Sequence, residues 1–181
     1  MSSILKVNTI QDGGGNAIIT SDGSGNLTTL KTNYPAFEAR LNGDQTSITS
    51  GTATKAQINA EVFDTNNCYD NSTNYRFTPT VAGKYFVYAA LRAGNTNGSN
   101  GNMSQMRTWI YKNGSAYRVS ATNFHDGDVN NATETISTVV DMNGTSDYVE
   151  TYVQAYINSG TAYLIGGSDI TCLFGAYRIG S

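Results

Sequence analysis

From Lys84 to Leu91 the chain alternates. Tyr85, Val87 and Ala89 fall on one side and Phe86, Tyr88 and Ala90 on the other, which is the two-residue period of a strand. Both sides are largely apolar, so this strand is expected to be covered on both faces, in a sandwich core or a subunit interface. Other segments read the same way. Phe37, Ala39 and Leu41 share a face, and Ile58 to Phe63 reads as a strand. Met106 to Tyr111 and Tyr117 to Ala121 flank Asn113-Gly114 as a hairpin. Thr135 to Met142 ends at Asn143-Gly144. Tyr148 to Ile157 alternates Val149, Thr151, Val153 and Ala155 against Tyr148, Tyr152 and Tyr156, and Ala162 to Ile165 and Ile170 to Ile179 close the chain. Residues 46 to 56 are small and polar and read as a loose connection; Gly94 to Asn102 reads as a long exposed loop. No stretch carries a 3.6-residue period. Eight to ten strands bounded by Gly, Asn or Asp predict an all-β antiparallel sandwich.

Residues 1–33 differ. Short apolar stretches alternate with Asp12-Gly13-Gly14-Gly15-Asn16 and its echo ten residues on, Asp22-Gly23-Ser24-Gly25-Asn26. Each unit reads as a turn and a short strand. Ile4, Val7, Ile10, Ile18 and Leu27 are out of place in a polar linker, so an extended, ordered arm is expected. One arm cannot bury them. Three copies side by side could, or one arm lying on a larger assembly, which makes these five the candidate anchors. Fully extended, 33 residues reach ~110 Å at most, too short for a long shaft.

Several motifs resemble a known family. Phe77-Thr78, Val81, Gly83 and Tyr85 are similar to the F-T-x-x-V-x-G-x-Y signature of the complement-type globular head, a jelly roll related to tumour necrosis factor. Val62-Phe63-Asp64 to Tyr69-Asp70 resembles its approach to that strand. Trp109 to Gly114 resembles its L-x-K-N-G hairpin, and Asp147-Tyr148-Val149 its G-D-x-V strand, with Ser146 in place of the glycine. Leu173 to Ile179 resembles its closing strand. The likeness covers roughly residues 35 to 180 and implies a jelly roll of about ten strands over 34–181, assembled as a homotrimer about an apolar and aromatic axis. Phe37, Tyr85, Val87, Phe174 and Tyr177 are the trimer-interface candidates. The opening Ser3 to Asp12 looks like the start of tail-fibre and virion surface proteins of aquatic tailed phages. The two resemblances imply a virion surface location after synthesis in a host cytoplasm. The arm would hold other virion proteins, capsid or tail, and the head would act either as a capsid-decorating cement or as a short tail fibre or adhesin. A host surface glycan is a candidate partner for the adhesin.

Charge narrows the partners. The net charge is −3 and the eleven Lys and Arg form no run, so neither nucleic acid nor anionic lipid is an expected partner. No stretch is apolar enough to insert in a membrane or serve as a signal peptide, so Cys68 and Cys172 are expected to be buried thiols rather than a bridge. Twelve tyrosines raise sugar binding, with Tyr69, Tyr75 and Tyr117 as the candidates near loops. Catalysis is not expected. The single histidine, His125, lies in a turn, and Glu150 and Asp147 are expected to face solvent. Asp64 opens a sequence that begins like a calcium loop but lacks its later ligands, and Asp126 and Asp128 read as a turn. No cofactor is implied.

Overall fold

The computed structural model describes residues 6–30, 34–96, 103–125, 129–167 and 171–181. The chain divides into two compact units, Met1–Asn33 and Tyr34–Ser181.

The first unit is an antiparallel three-stranded sheet of β1 (Thr9–Gln11), β2 (Ala17–Ser21) and β3 (Leu27–Leu30). Its register sets Ile10 beside Ile19 and Ile19 beside Leu30, while Thr9, Thr20 and Thr29 form the next row. Both repeats close in the same way. The Asp12 carboxylate accepts from the amides of Gly14 and Asn16, each at 2.9 Å. The Asp22 carboxylate accepts from Ser24 at 2.7 Å and Asn26 at 3.2 Å. Gly15 and Gly25 turn the chain at φ of 81° and 93°, a region other L-residues avoid.

The second unit holds β4 (Ala36–Arg40), β5 (Gln45–Ile48), β6 (Thr54–Lys55), β7 (Ala60–Asp64), β8 (Tyr69–Asp70), β9 (Arg76–Phe77), β10 (Gly83–Asn95), β11 (Met103–Lys112), β12 (Ser115–Asn123), β13 (Asn131–Met142), β14 (Val149–Ile157), β15 (Ala162–Leu164) and β16 (Leu173–Gly180). Ten of these have three residues or more. They form two antiparallel sheets, one of seven strands and one of six. In the first, β10 is the spine. β13 runs along one edge of it, and β16 then β15 along the other; β4 and β7 follow β16, and β5 follows β15. The second runs β12-β11-β14-β9-β8, with β6 also on β14. The region 46–56, expected to be loose, carries most of β5 and all of β6 and plants Ile48 and Ala56 in the core. β7 starts two residues later than the sequence pattern suggests.

The sheets close on an aromatic centre. Phe37 stacks on Tyr69 at 4.3 Å and on Phe77 at 4.7 Å, and meets Phe174 edge-on at 5.1 Å. Tyr85 meets Phe77 edge-on at 5.7 Å. Fully burying such a ring contributes roughly 1.5–3 kcal/mol. This corrects the interface assignment: Phe37, Tyr85, Val87 and Phe174 are wholly buried within one chain, so they hold the two sheets together and are not free to meet another copy.

Candidate functional site

The side of β10 facing away from the core carries Phe86, Tyr88 and Ala90, all half-buried. Cross-strand register widens it into a surface. Phe86 stands between Val139 and Tyr177, Tyr88 between Ser137 and Gly175, and Ala90 between Thr135 and Leu173. Beyond Gly175 come Glu38 and then Phe63. The rings of Phe86 and Tyr177 are 5.4 Å apart. Val139, Tyr177, Ile179 and Phe63 are 43–50% exposed. The Tyr88 hydroxyl donates to Glu38 Oε2 at 2.7 Å, and burial together with this carboxylate pushes the hydroxyl's pKa well up. The result is an aliphatic and aromatic sheet face with little charge on it, the kind of surface that marks an association site. Of the five predicted interface residues, Tyr177 belongs to it. Phe86, Tyr88, Val139 and Phe63 share this face with it, Phe86 and Tyr88 on the side of β10 where the alternation of the strand places them.

The outer face of the six-stranded sheet is different. Tyr111 and Tyr152 stack at 4.0 Å, and Trp109 meets Tyr111 edge-on at 6.2 Å. Cations lie over this surface: Lys55 Nζ is 5.9 Å from the Tyr152 ring, the Arg76 guanidinium 4.5 Å from Tyr148, and that of Arg107 5.8 Å from Tyr156. Glu150, expected in solvent, is buried and pairs with Lys55 at 2.5 Å. Burial, with Glu150 close by, pushes the Tyr152 hydroxyl up to about 12.

The loop tyrosines do not gather. Tyr69 is a core residue whose hydroxyl donates to the Ile58 carbonyl at 2.7 Å, and burial raises its pKa. Tyr75 is half-buried with φ of 50°. Tyr117 is exposed and donates to the Val139 carbonyl at 3.1 Å. In the arm, Val7, Ile10, Ile18 and Leu27 are exposed; Ile4 lies outside the described residues. Both cysteines are free and buried. Cys172 Sγ accepts from the Arg92 amide at 3.1 Å, while Cys68 lies near the Asn66 carbonyl and the Thr80 hydroxyl. His125 is exposed. Asp64 is committed to an Asx turn, accepting from the amides of Asn66 at 3.2 Å and Tyr69 at 2.7 Å. Asp126 and Asp128 lie outside the described residues.

No family model matches the chain, and no curated protein matches it. Solved structures do. Murine APRIL superposes with a TM-score of 0.54 at 9% identity, over 81% of this chain and 99% of that one. The globular domain of zebrafish complement 1qA gives 0.50 at 16% identity, over 80% and 97%. Eiger TNF from S. frugiperda gives 0.54 at 7% identity, over 82% and 92%. The fold is the TNF- and complement-type jelly roll. At these identities the likeness is one of fold.

Proposed function

We propose that this protein is a non-enzymatic structural component of a tailed-phage virion: a homotrimer that decorates or stabilises the capsid and is held there by its N-terminal arm. The observation that carries the trimer is the outer face of the seven-stranded sheet. A monomer in water gains nothing from Val139, Tyr177, Ile179 and Phe63 laid open around Phe86. Threefold association would cover them, as the resemblance to the complement-type head implies. The exposed aliphatic side chains of the arm support an anchoring role, and the phage-like opening supports the virion setting. Two acids are engaged within the sheets: Glu134 accepts from the Ser120 and Thr122 hydroxyls, and Glu150 holds Lys55. A second reading, a short tail fibre or receptor-binding adhesin, is favoured by the aromatic face of the six-stranded sheet.

Light scattering tests the assembly. A mass three times the 19.4 kDa chain is expected at micromolar concentration, and a stable monomer would overturn the proposal. Particles lacking the protein test the anchor. The full chain should pellet with them, whereas a form without residues 1–33 should stay in solution as a folded trimer.

A further inference from the structure

On the outer face of the six-stranded sheet, two buried donors have no hydrogen-bond partner among the described residues: Trp109 Nε1 and Arg107 Nε. They sit two residues apart on one strand, on the same side of it. Packing among the rings does not satisfy them, and a buried donor without an acceptor costs stability. Arg107 Nη1 donates to Gln154 Oε1 over a long 3.4 Å contact, which holds the guanidinium only weakly in place. The cations are uneven as well. Lys55 is neutralised by Glu150 and Lys112 by Asp147, but among the described residues neither Arg76 nor Arg107 has a carboxylate partner. A chain of net charge −3 thus keeps, among the described residues, two guanidinium groups without a carboxylate partner on its most aromatic surface.

From these observations we infer that this face binds an acidic oligosaccharide, whose rings lie along Trp109, Tyr111 and Tyr152 and whose anionic groups meet Arg107 and Arg76. Aromatic faces take the apolar C–H faces of pyranose rings, and the Trp109 and Arg107 donors take ring or carboxylate oxygens. A guanidinium suits a planar carboxylate or a sulfate because it donates in a fixed fork. The strand from Arg107 to Tyr111 spans ~13 Å, the length of about two to three sugar units. A neutral glycan would leave the guanidinium groups unmatched, and a nucleic acid would meet too few cations to be held. The inference rests on the adhesin reading and supplies its ligand class; it does not depend on whether the head sits on capsid or tail.

Trp109 is the only tryptophan, so its emission reports the site directly. The full-length protein is titrated with uronate, sialylated and sulfated oligosaccharides, with maltohexaose as the neutral control. At least one acidic probe should change the emission saturably, and raising the salt should weaken it. Arg107→Gln and Arg76→Gln should each weaken binding about tenfold or more, with the oligomer mass unchanged, while Lys84→Gln, which removes an exposed cation from the seven-stranded sheet, leaves binding intact. Silence towards every acidic probe overturns the inference, as does unchanged affinity in both Arg variants. Response to maltohexaose alone overturns the acidic ligand and keeps the adhesin reading. Adsorption of the protein to host cells without response to any glycan also overturns it, and leaves that reading with a protein receptor.

Discussion

Tyr88 reaches Glu38 across Gly175, the phenol donating to the carboxylate at 2.7 Å over a backbone that has no side chain in the way. A Cβ on Gly175 would stand 2.4 Å from the Tyr88 ring. Gly175→Ala should therefore lift the ring off the sheet, cost about 1–3 kcal/mol in chemical denaturation and weaken the trimer. Tyr88→Phe keeps the ring and loses only the hydrogen bond, so its cost should be nearer ~1 kcal/mol, with assembly retained.

Charge placed on the same face should act on assembly rather than on folding. Tyr177→Glu combined with Val139→Glu puts two carboxylates where apolar contact is proposed. Scattering should fall to the monomer mass, while circular dichroism keeps its β-sheet spectrum.

Core substitutions should behave in the opposite sense. Phe37 packs against Tyr69, Phe77 and Phe174 together. Phe37→Ala should cost about 3–5 kcal/mol, read from the denaturation midpoint, because the rings around it cannot collapse into the space.

Acid should single out one loop. The amides of Thr73 and Ser72 point at the Asp70 carboxylate, and Asn74 adds a side-chain bond, so its pKa lies well below the usual carboxylate range. A carboxylate whose pKa is lowered by folding stabilises the fold above its unfolded value, about 3.9, and loses that effect as pH falls through the folded value. The melting advantage of the parent over Asp70→Asn should be full at pH 7 and shrink steadily below about pH 4.

The thiols should be silent. Burial raises the pKa of both Cys68 and Cys172, which keeps them protonated and shielded. Alkylation should proceed only after unfolding. Reductant should leave the oligomer mass unchanged, as should replacing both residues with Ser.

The strands were legible because period-two alternation and Asn-Gly turns are local. The hairpin at Asn113-Gly114 and the long run of β10 needed nothing else. The choice of inner face on β10 was not local. Both of its sides are apolar, so only the strands laid against it decide that Tyr85 and Val87 turn inward while Phe86 and Tyr88 turn out. The placing of Tyr85 and Val87 at an interface follows from that ambiguity, while Phe37 on β4 and Phe174 on β16 take their inward side from the strands paired with them. Tyr69 looked like a loop residue because β8 is two residues long and gains its position from β9. Glu150 does lie on the outer face, as a charged residue should, but Lys55, 95 positions earlier, covers it. The aromatic ladder was hidden for the same reason: Trp109 and Tyr111 meet Tyr152 only through the pairing of β11 with β14.

Three five-residue loops, from Asp12, Asp22 and Asp70, are closed by the same device. The first side chain takes amides of the loop, and the Asn at the fifth position donates back to it. What lies between differs in each: Gly-Gly-Gly, Gly-Ser-Gly and Asn-Ser-Thr. The frame is fixed at its two ends, and in the first two loops the left-handed backbone at Gly15, Gly23 and Gly25 also fixes glycine within the middle. Positions outside those glycines, such as Ser24 and Asn71 to Thr73, can be exchanged over generations, or in a designed library, without disturbing the strands that carry the loops.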